Sequence, residues 1–168
     1  MRLQDLVIPE MTCCAVNAQS KKAVLEFIAS RVHQTHPYME LQVIYNALIS
    51  RERLGSTGIG AGVAIPHCRI KGSTELIAVV LTLTNGIDFN APDGAEVNLV
   101  FALLAPEEAT DEHLILLSEI ATLLSEPSNK TRFLSARSNE QLFDLIQISG
   151  TQSQDSQNRA LLQSPKPK

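Results

Sequence analysis

Aromatic residues are scarce in this chain: it has no tryptophan, two tyrosines and five phenylalanines, against 44% hydrophobic residues in all. Its core must therefore be aliphatic. Clusters of lysine and arginine are missing as well, and the formal net charge is −4, which argues against nucleic acid as the main partner. Cysteine is limited to three residues, two of them adjacent at Cys13 and Cys14. That is a poor disulfide framework, and a reducing, cytoplasmic setting fits it best. No apolar run is long enough to cross a bilayer, the longest being the strand-sized stretch 76–83, so no membrane insertion is expected. Nor does a basic stretch followed by an apolar one mark a signal peptide. At 168 residues the chain has the length of one domain with a proper core.

What the chain does have is concentrated in Gly55-Ser-Thr-Gly-Ile-Gly-Ala-Gly-Val-Ala-Ile-Pro-His67. Glycine tolerates backbone dihedrals that other residues avoid, so such a loop can turn several N–H groups toward an anion. With the two hydroxyls, this makes Ser56, Thr57, Gly58 and Gly60 candidate phosphate contacts. Pro66 fixes its own φ and keeps Ile65 extended. His67 therefore leaves a strand end on stiff backbone, as suits an imidazole that attacks or holds a phosphoryl group. Better-known phosphate loops do not fit. A Walker loop needs Gly-Lys-Ser/Thr, and no lysine lies between Lys22 and Lys71. A dinucleotide fingerprint would place glycine where Val63 stands, and would follow a strand rather than a helix. A flexible helix–strand connector is the plain alternative for the loop.

Around this segment the pattern predicts a helix capped by Ser20 and running to about residue 34. A second helix spans about 39–53, stopped by Gly55. Strands are expected at 63–65, 76–83 and 97–104, with turns at Asn85-Gly86 and at Pro92-Asp-Gly. The two longer strands are nearly continuously apolar, which implies a sheet covered on both faces. Thr110 or Asp111 can cap a helix over about 112–124, its buried stripe being Leu114, Leu117, Ala121 and Leu124. Short helical segments follow at 130–135 and 139–148. Beyond Gly150 the composition turns to Gln, Ser, Asn, Lys and Pro, with only Ala160-Leu-Leu162 apolar. The expected division is a domain over 1–149 and a disordered tail over 150–168.

Four histidines are present. His33 and His36 have metal-like spacing near a helix end but no third ligand nearby, so no metal is expected there. Cys13-Cys14 and His67-Cys68 make no tetrahedral site either, and Cys68 is read as a small filler without an activating base. His113 falls in the first turn of its helix, where unsatisfied N–H groups and a positive partial charge attract phosphate and disfavour imidazolium. Arg51 precedes the glycine loop and can either complement its helix dipole or aim its guanidinium at the same phosphate. Glu52 and Arg53 are expected at the surface.

Arg51-Glu52, Gly55-Ser-Thr-Gly-Ile-Gly, Val63-Ala-Ile-Pro-His67 and His113-Leu114 together resemble the EIIA proteins of the bacterial phosphoenolpyruvate-dependent phosphotransferase system, in the mannitol/fructose-type branch. The resemblance extends over roughly residues 3–148 and is greatest to the nitrogen-regulatory members, EIIA-Ntr. It implies an α/β fold with a central mixed β-sheet flanked by helices on both faces. It also implies that His67 is the phosphorylated nucleophile, assisted by His113 and Arg51, with no cofactor and no metal. The phosphate donor would be a nitrogen-branch, HPr-like phosphocarrier protein. The phosphorylation state would then be read by regulatory partners such as sensor kinases or potassium transporters. Cys68 stands where members often have glycine, and a side chain there would narrow the approach to His67. Other readings are a sugar-specific EIIA passing phosphate to an EIIB domain, and an interaction module without phosphotransfer, which the intact Arg51, His67 and His113 argue against. A metal-dependent hydrolase is disfavoured because no carboxylate and histidine cluster has ligand spacing.

Overall fold

The two apolar runs become the central strands of a six-stranded mixed sheet. In the computed structural model, which describes residues 2–109 and 111–163 and, between 151 and 161, the side chain of Arg159 alone, β1 (Thr12–Val16) lies parallel to β5 (Ile77–Ile87). β5 runs antiparallel to β6 (Val97–Pro106). On the other side of β6, β3 (Val63–Ala64) and β4 (His67–Ile70) both add in parallel, and β2 (Gly58–Gly60) closes that edge antiparallel to β3.

Alternation along β5 and β6 sends their side chains to two separate cores. Val79, Leu81, Val100, Ala102 and Leu104 meet α2 (Lys21–Thr35) and α3 (Leu41–Leu54). Ala78, Val80, Leu99, Phe101 and Leu103 face α1 (Leu3–Leu6), α4 (Glu112–Ser125), α5 (Pro127–Leu134) and α6 (Asn139–Leu162). Helices thus cover both faces, which is why these strands read as apolar without a polar period. No described helix is long and apolar enough to cross a membrane.

Helix boundaries follow local chemistry where a cap is present. Ser20 Oγ accepts from the Ala23 amide at 3.0 Å to start α2, and Ser138 Oγ does the same for Gln141 at the head of α6. Pro127 opens α5 at its first turn, where a missing N–H costs nothing. Asp111 precedes α4 in helical conformation and makes no side-chain cap; Thr110 lies outside the described residues.

Four expectations are corrected. Asn85-Gly86 is no turn, because β5 continues through it to Ile87. Gly86 is there for space: a Cβ on it would come within 2.8 Å of the Glu96 side chain, and the β5–β6 register shifts between Thr82 and Ile87. The buried stripe of α4 runs through Leu116, Ile120, Leu123 and the expected Leu124; the expected Leu117 and Ala121 pack half-buried against the same core, and Leu114, expected inside, is exposed with Ile115. Glu52 is buried rather than superficial. Finally, α6 does not stop near residue 148 but continues to Leu162. Once nucleated on a packed first half, a helix extends through Gln, Ser, Arg and Ala at little cost per residue, so helical order there requires no apolar burial.

Candidate functional site

β3 and β4 keep one register against β6 on either side of Ile65-Pro66, so they are one strand line interrupted at the proline. Pro66 has no N–H to give the ladder, and the Ile65 amide turns instead to the Thr57 carbonyl at 2.9 Å. The ladder resumes when the Leu103 amide donates to the Pro66 carbonyl at 2.9 Å. His67 opens the second half. Opposite Leu103, it faces the α4 side of the sheet, and Arg69, opposite Ala105, shares that face two residues on.

A cavity of about 250 Å³ sits over this strand between the end of α3 and the start of α4. Arg51, His67, Arg69 and His113 line it with Leu103 and Leu117, and no carboxylate is among its described lining residues. Nδ1 of His67 lies 2.8 Å from the Ile65 carbonyl. A carbonyl only accepts, so Nδ1 carries the proton and the lone pair of the neutral ring resides on Nε2. Nη2 of Arg69 lies 3.3 Å from Nε2 of His113. A guanidinium only donates, so this His113 nitrogen accepts, and the neutral ring carries its proton on Nδ1. Nη1 of Arg69 donates to the Glu107 carbonyl at 3.1 Å, and Nη1 of Arg51 donates to the Gly55 carbonyl at 2.9 Å. Two guanidiniums and two imidazoles without a carboxylate form a pocket for a dianion.

The structure thus brings together His67, His113 and Arg51, and it does not bring the glycine loop with them. Ser56, Thr57, Gly58 and Gly60 do not line this cavity. Most of the donors in this loop are engaged within the fold. Glu52 accepts from the Thr57 amide at 3.1 Å and from its hydroxyl at 2.6 Å, and its carboxylate is paired with Lys21 at 3.2 Å. Ser56 Oγ donates to the Phe89 carbonyl at 2.5 Å and accepts from the Gly58 amide at 3.0 Å. Asp93 accepts from the Ala61 and Ala95 amides, which hold its carboxyl below the usual carboxylate range. Gly62 makes the turn into β3 at φ +80°, where a Cβ would lie 2.7 Å from the Lys130 ammonium. The segment is a scaffold that fixes Ile65 and hence His67. A phosphate placed on it would meet two carboxylates.

Arg69 escaped the sequence analysis. The available signal was the period of two from His67, hidden because His-Cys-Arg-Ile does not announce a strand. Cys68 alternates to the other face and packs half-buried against the α2–α3 core, yet it also lines the cavity beside His67. Burial pushes its thiol up to about 12, leaving almost no thiolate at neutral pH. His33 Nδ1 sits 2.6 Å from the Met39 carbonyl, and His36 is held by Thr35 and by Glu75, the latter at 2.8 Å. A larger groove of about 530 Å³ shares His113, but Asp5, Glu75, Glu108 and Glu112 line it and disfavour an anion.

Residues 8–148 match the family described as phosphoenolpyruvate-dependent sugar phosphotransferase system, EIIA 2. A nitrogen regulatory protein of Pseudomonas aeruginosa is 44% identical over 146 residues, which are 87% of this chain and 95% of that protein. The crystal structure of nitrogen regulatory protein IIA-Ntr from Neisseria meningitidis superposes with a TM-score of 0.79 at 31% identity, covering 85% of this chain and 97% of that one. The mannitol IIA of Escherichia coli shares the fold at a TM-score of 0.68 and 19% identity, covering 83% and 97%. A histidine mounted behind a proline, two arginines beside it and this span of matching sequence lead to one conclusion: the chain belongs to the EIIA type 2 family of the phosphotransferase system.

Proposed function

We propose that the chain is a regulatory phosphocarrier of the nitrogen branch, phosphorylated on His67 by an HPr-like phosphocarrier protein. The observation that carries the reading is the contact of His67 Nδ1 with the Ile65 carbonyl at 2.8 Å. It fixes the tautomer and presents Nε2 as the nucleophile. In the transfer, the P–N bond of the donor breaks and its electron pair returns to the donor ring. The Nε2 lone pair of His67 forms the new P–N bond, and the charge gained by its ring is stabilised at Nδ1–H by that carbonyl. Little else is asked of the protein, since phosphoryl transfer depends on positioning and on charge stabilisation at the equatorial oxygens. Arg51 and His113 provide that stabilisation from the walls of the cavity, and apolar Leu103 and Leu117 beside them limit water.

The regulatory role is supported by the nitrogen regulatory proteins that match almost end to end. Sensor kinases and potassium transporters are the partner classes proposed to read the phosphorylation state, in the cytoplasm. The test mixes the purified chain with phosphoenolpyruvate and either the nitrogen-branch or the sugar-branch upstream proteins. Faster labelling by the nitrogen set is expected. Preferential labelling by the sugar set, with onward transfer to an EIIB domain, would replace this reading by the sugar-specific one.

A further inference from the structure

We infer that Arg69 is a third phosphoryl-binding group of the His67 site, one that leaves His113 and the Glu107 carbonyl for the phosphoryl group when it arrives. The inference rests on the phosphocarrier reading above and extends it to how the modified state is recognised. Arg69 and His67 share one face of β4, opposite Ala105 and Leu103 respectively. Residues so placed lie about 7 Å apart along a strand, within reach of an arginine side chain. Both line the same cavity, and Arg69 is exposed, so its guanidinium has room to turn.

Its present acceptors are weak competitors. Nη1 holds a backbone carbonyl at 3.1 Å and Nη2 holds an imidazole nitrogen at a long 3.3 Å; neither acceptor carries charge. A phosphoryl group brings about two negative charges and three strong acceptor oxygens. Charge-assisted, forked bonds to guanidinium are roughly twice as strong as bonds to neutral acceptors. The exchange is therefore favourable on simple electrostatics. It also has a structural consequence: Glu107 and His113 lie on the stretch between β6 and the first turn of α4, and Arg69 ties them to β4. Moving Arg69 to the phosphoryl group unties that stretch. The two states of His67 then differ in surface shape as well as in charge, and a partner can read both.

The test uses the full chain, its Arg69→Gln and Arg69→Lys variants, and ¹⁵N-histidine NMR before and after phosphorylation. Arg69→Gln is expected to slow labelling of His67 by about a hundredfold, the usual effect of losing one charge-stabilising donor, with circular dichroism unchanged. Arg69→Lys should recover part of the rate, because it keeps the charge but not the fork. In the parent, the His113 nitrogen signals should change when His67 is phosphorylated. In Arg69→Gln they should differ from the parent from the outset and change less on phosphorylation, the response that remains being the direct contact of His113 with the phosphoryl group. Labelling of Arg69→Gln at the parent rate, or an equal His113 response in both proteins, overturns the role of Arg69 while leaving the phosphocarrier reading intact. No labelling of the parent overturns the phosphocarrier reading itself, and the inference with it.

Discussion

The glycine loop 55–62 and the strand 67–70 are separated by only four residues, and the loop has more of the features of a phosphate site. The structure reverses that ranking. In the loop, the Thr57 amide and hydroxyl close on Glu52, the Gly58 amide on Ser56 and the Ala61 amide on Asp93. In the strand, the His67 tautomer presents an Nε2 lone pair, and Arg69 holds neutral acceptors in a cavity lined by no described carboxylate. An anion site is made by donors that meet no carboxylate, and glycine content alone does not supply them.

Loop and strand should differ most at His67. His67→Ala should abolish labelling by the upstream donor, and labelled parent protein should lose its phosphate in acid while keeping it in base, as a phosphoramidate does. Full labelling of the variant would move the site elsewhere, the loop being the first place to look. Next in size are Arg51→Ala and His113→Ala. Each should slow labelling by about a hundred- to a thousandfold, or about 3 to 4 kcal/mol of barrier, with the melting temperature little changed. Parent-like rates in both would remove them from the transition state.

Sequence reading succeeded where a signal was local. Ser20 and the apolar period that follows it were enough for α2, and the two apolar runs were enough for a sheet covered on both faces. It failed where the cause was distant in sequence. Gly86 reads as a turn residue until Glu96 is seen to occupy the space of its side chain. The burial of Glu52 depends on Lys21 in another helix and on Thr57 beyond the helix end. Leu114 was assigned to the stripe of α4 in place of Leu116 and Ile120 because the run of Leu and Ile there satisfies more than one helical face. In the candidate site, the grouping of His67, His113 and Arg51 round one cavity was legible from motif and position, whereas the place of Arg69 beside them required knowing that β4 is a strand.

The loop half of the comparison is tested through Glu52. Glu52→Ala removes a buried carboxylate, leaving the Thr57 amide and hydroxyl without their acceptor and Lys21 with the Phe89 carbonyl but no ionic partner, a loss of about 2 to 4 kcal/mol in stability. Under conditions where the variant stays folded, labelling of His67 should fall far less than in Arg51→Ala. Thermal or urea unfolding beside a labelling assay separates the two quantities. A variant of parent stability with transfer as slow as that of Arg51→Ala would return the loop to the phosphate site.

The smallest effect is expected at the far end of α6. Its first half is anchored: Leu142 and Ile146 are buried, Ser149 is 2% exposed, and Nε2 of Gln147 donates to the Gln4 carbonyl at 3.0 Å. Gly150 packs closely on α1, since a Cβ on it would collide with the Gln4 side chain. Beyond it, Arg159, Leu162 and Gln163 are exposed, Leu162 at 86%. A helical extension whose sequence is mostly Gln, Ser and other polar residues returns little of the entropy needed to order it. Removing residues 151–168 should therefore change stability by no more than about 0.5 kcal/mol, as surface changes usually do, and leave the labelling rate as it was. A loss of about 2 kcal/mol or more would mean that this stretch is held by the domain. Unchanged stability with altered partner binding would instead make it part of the readout surface.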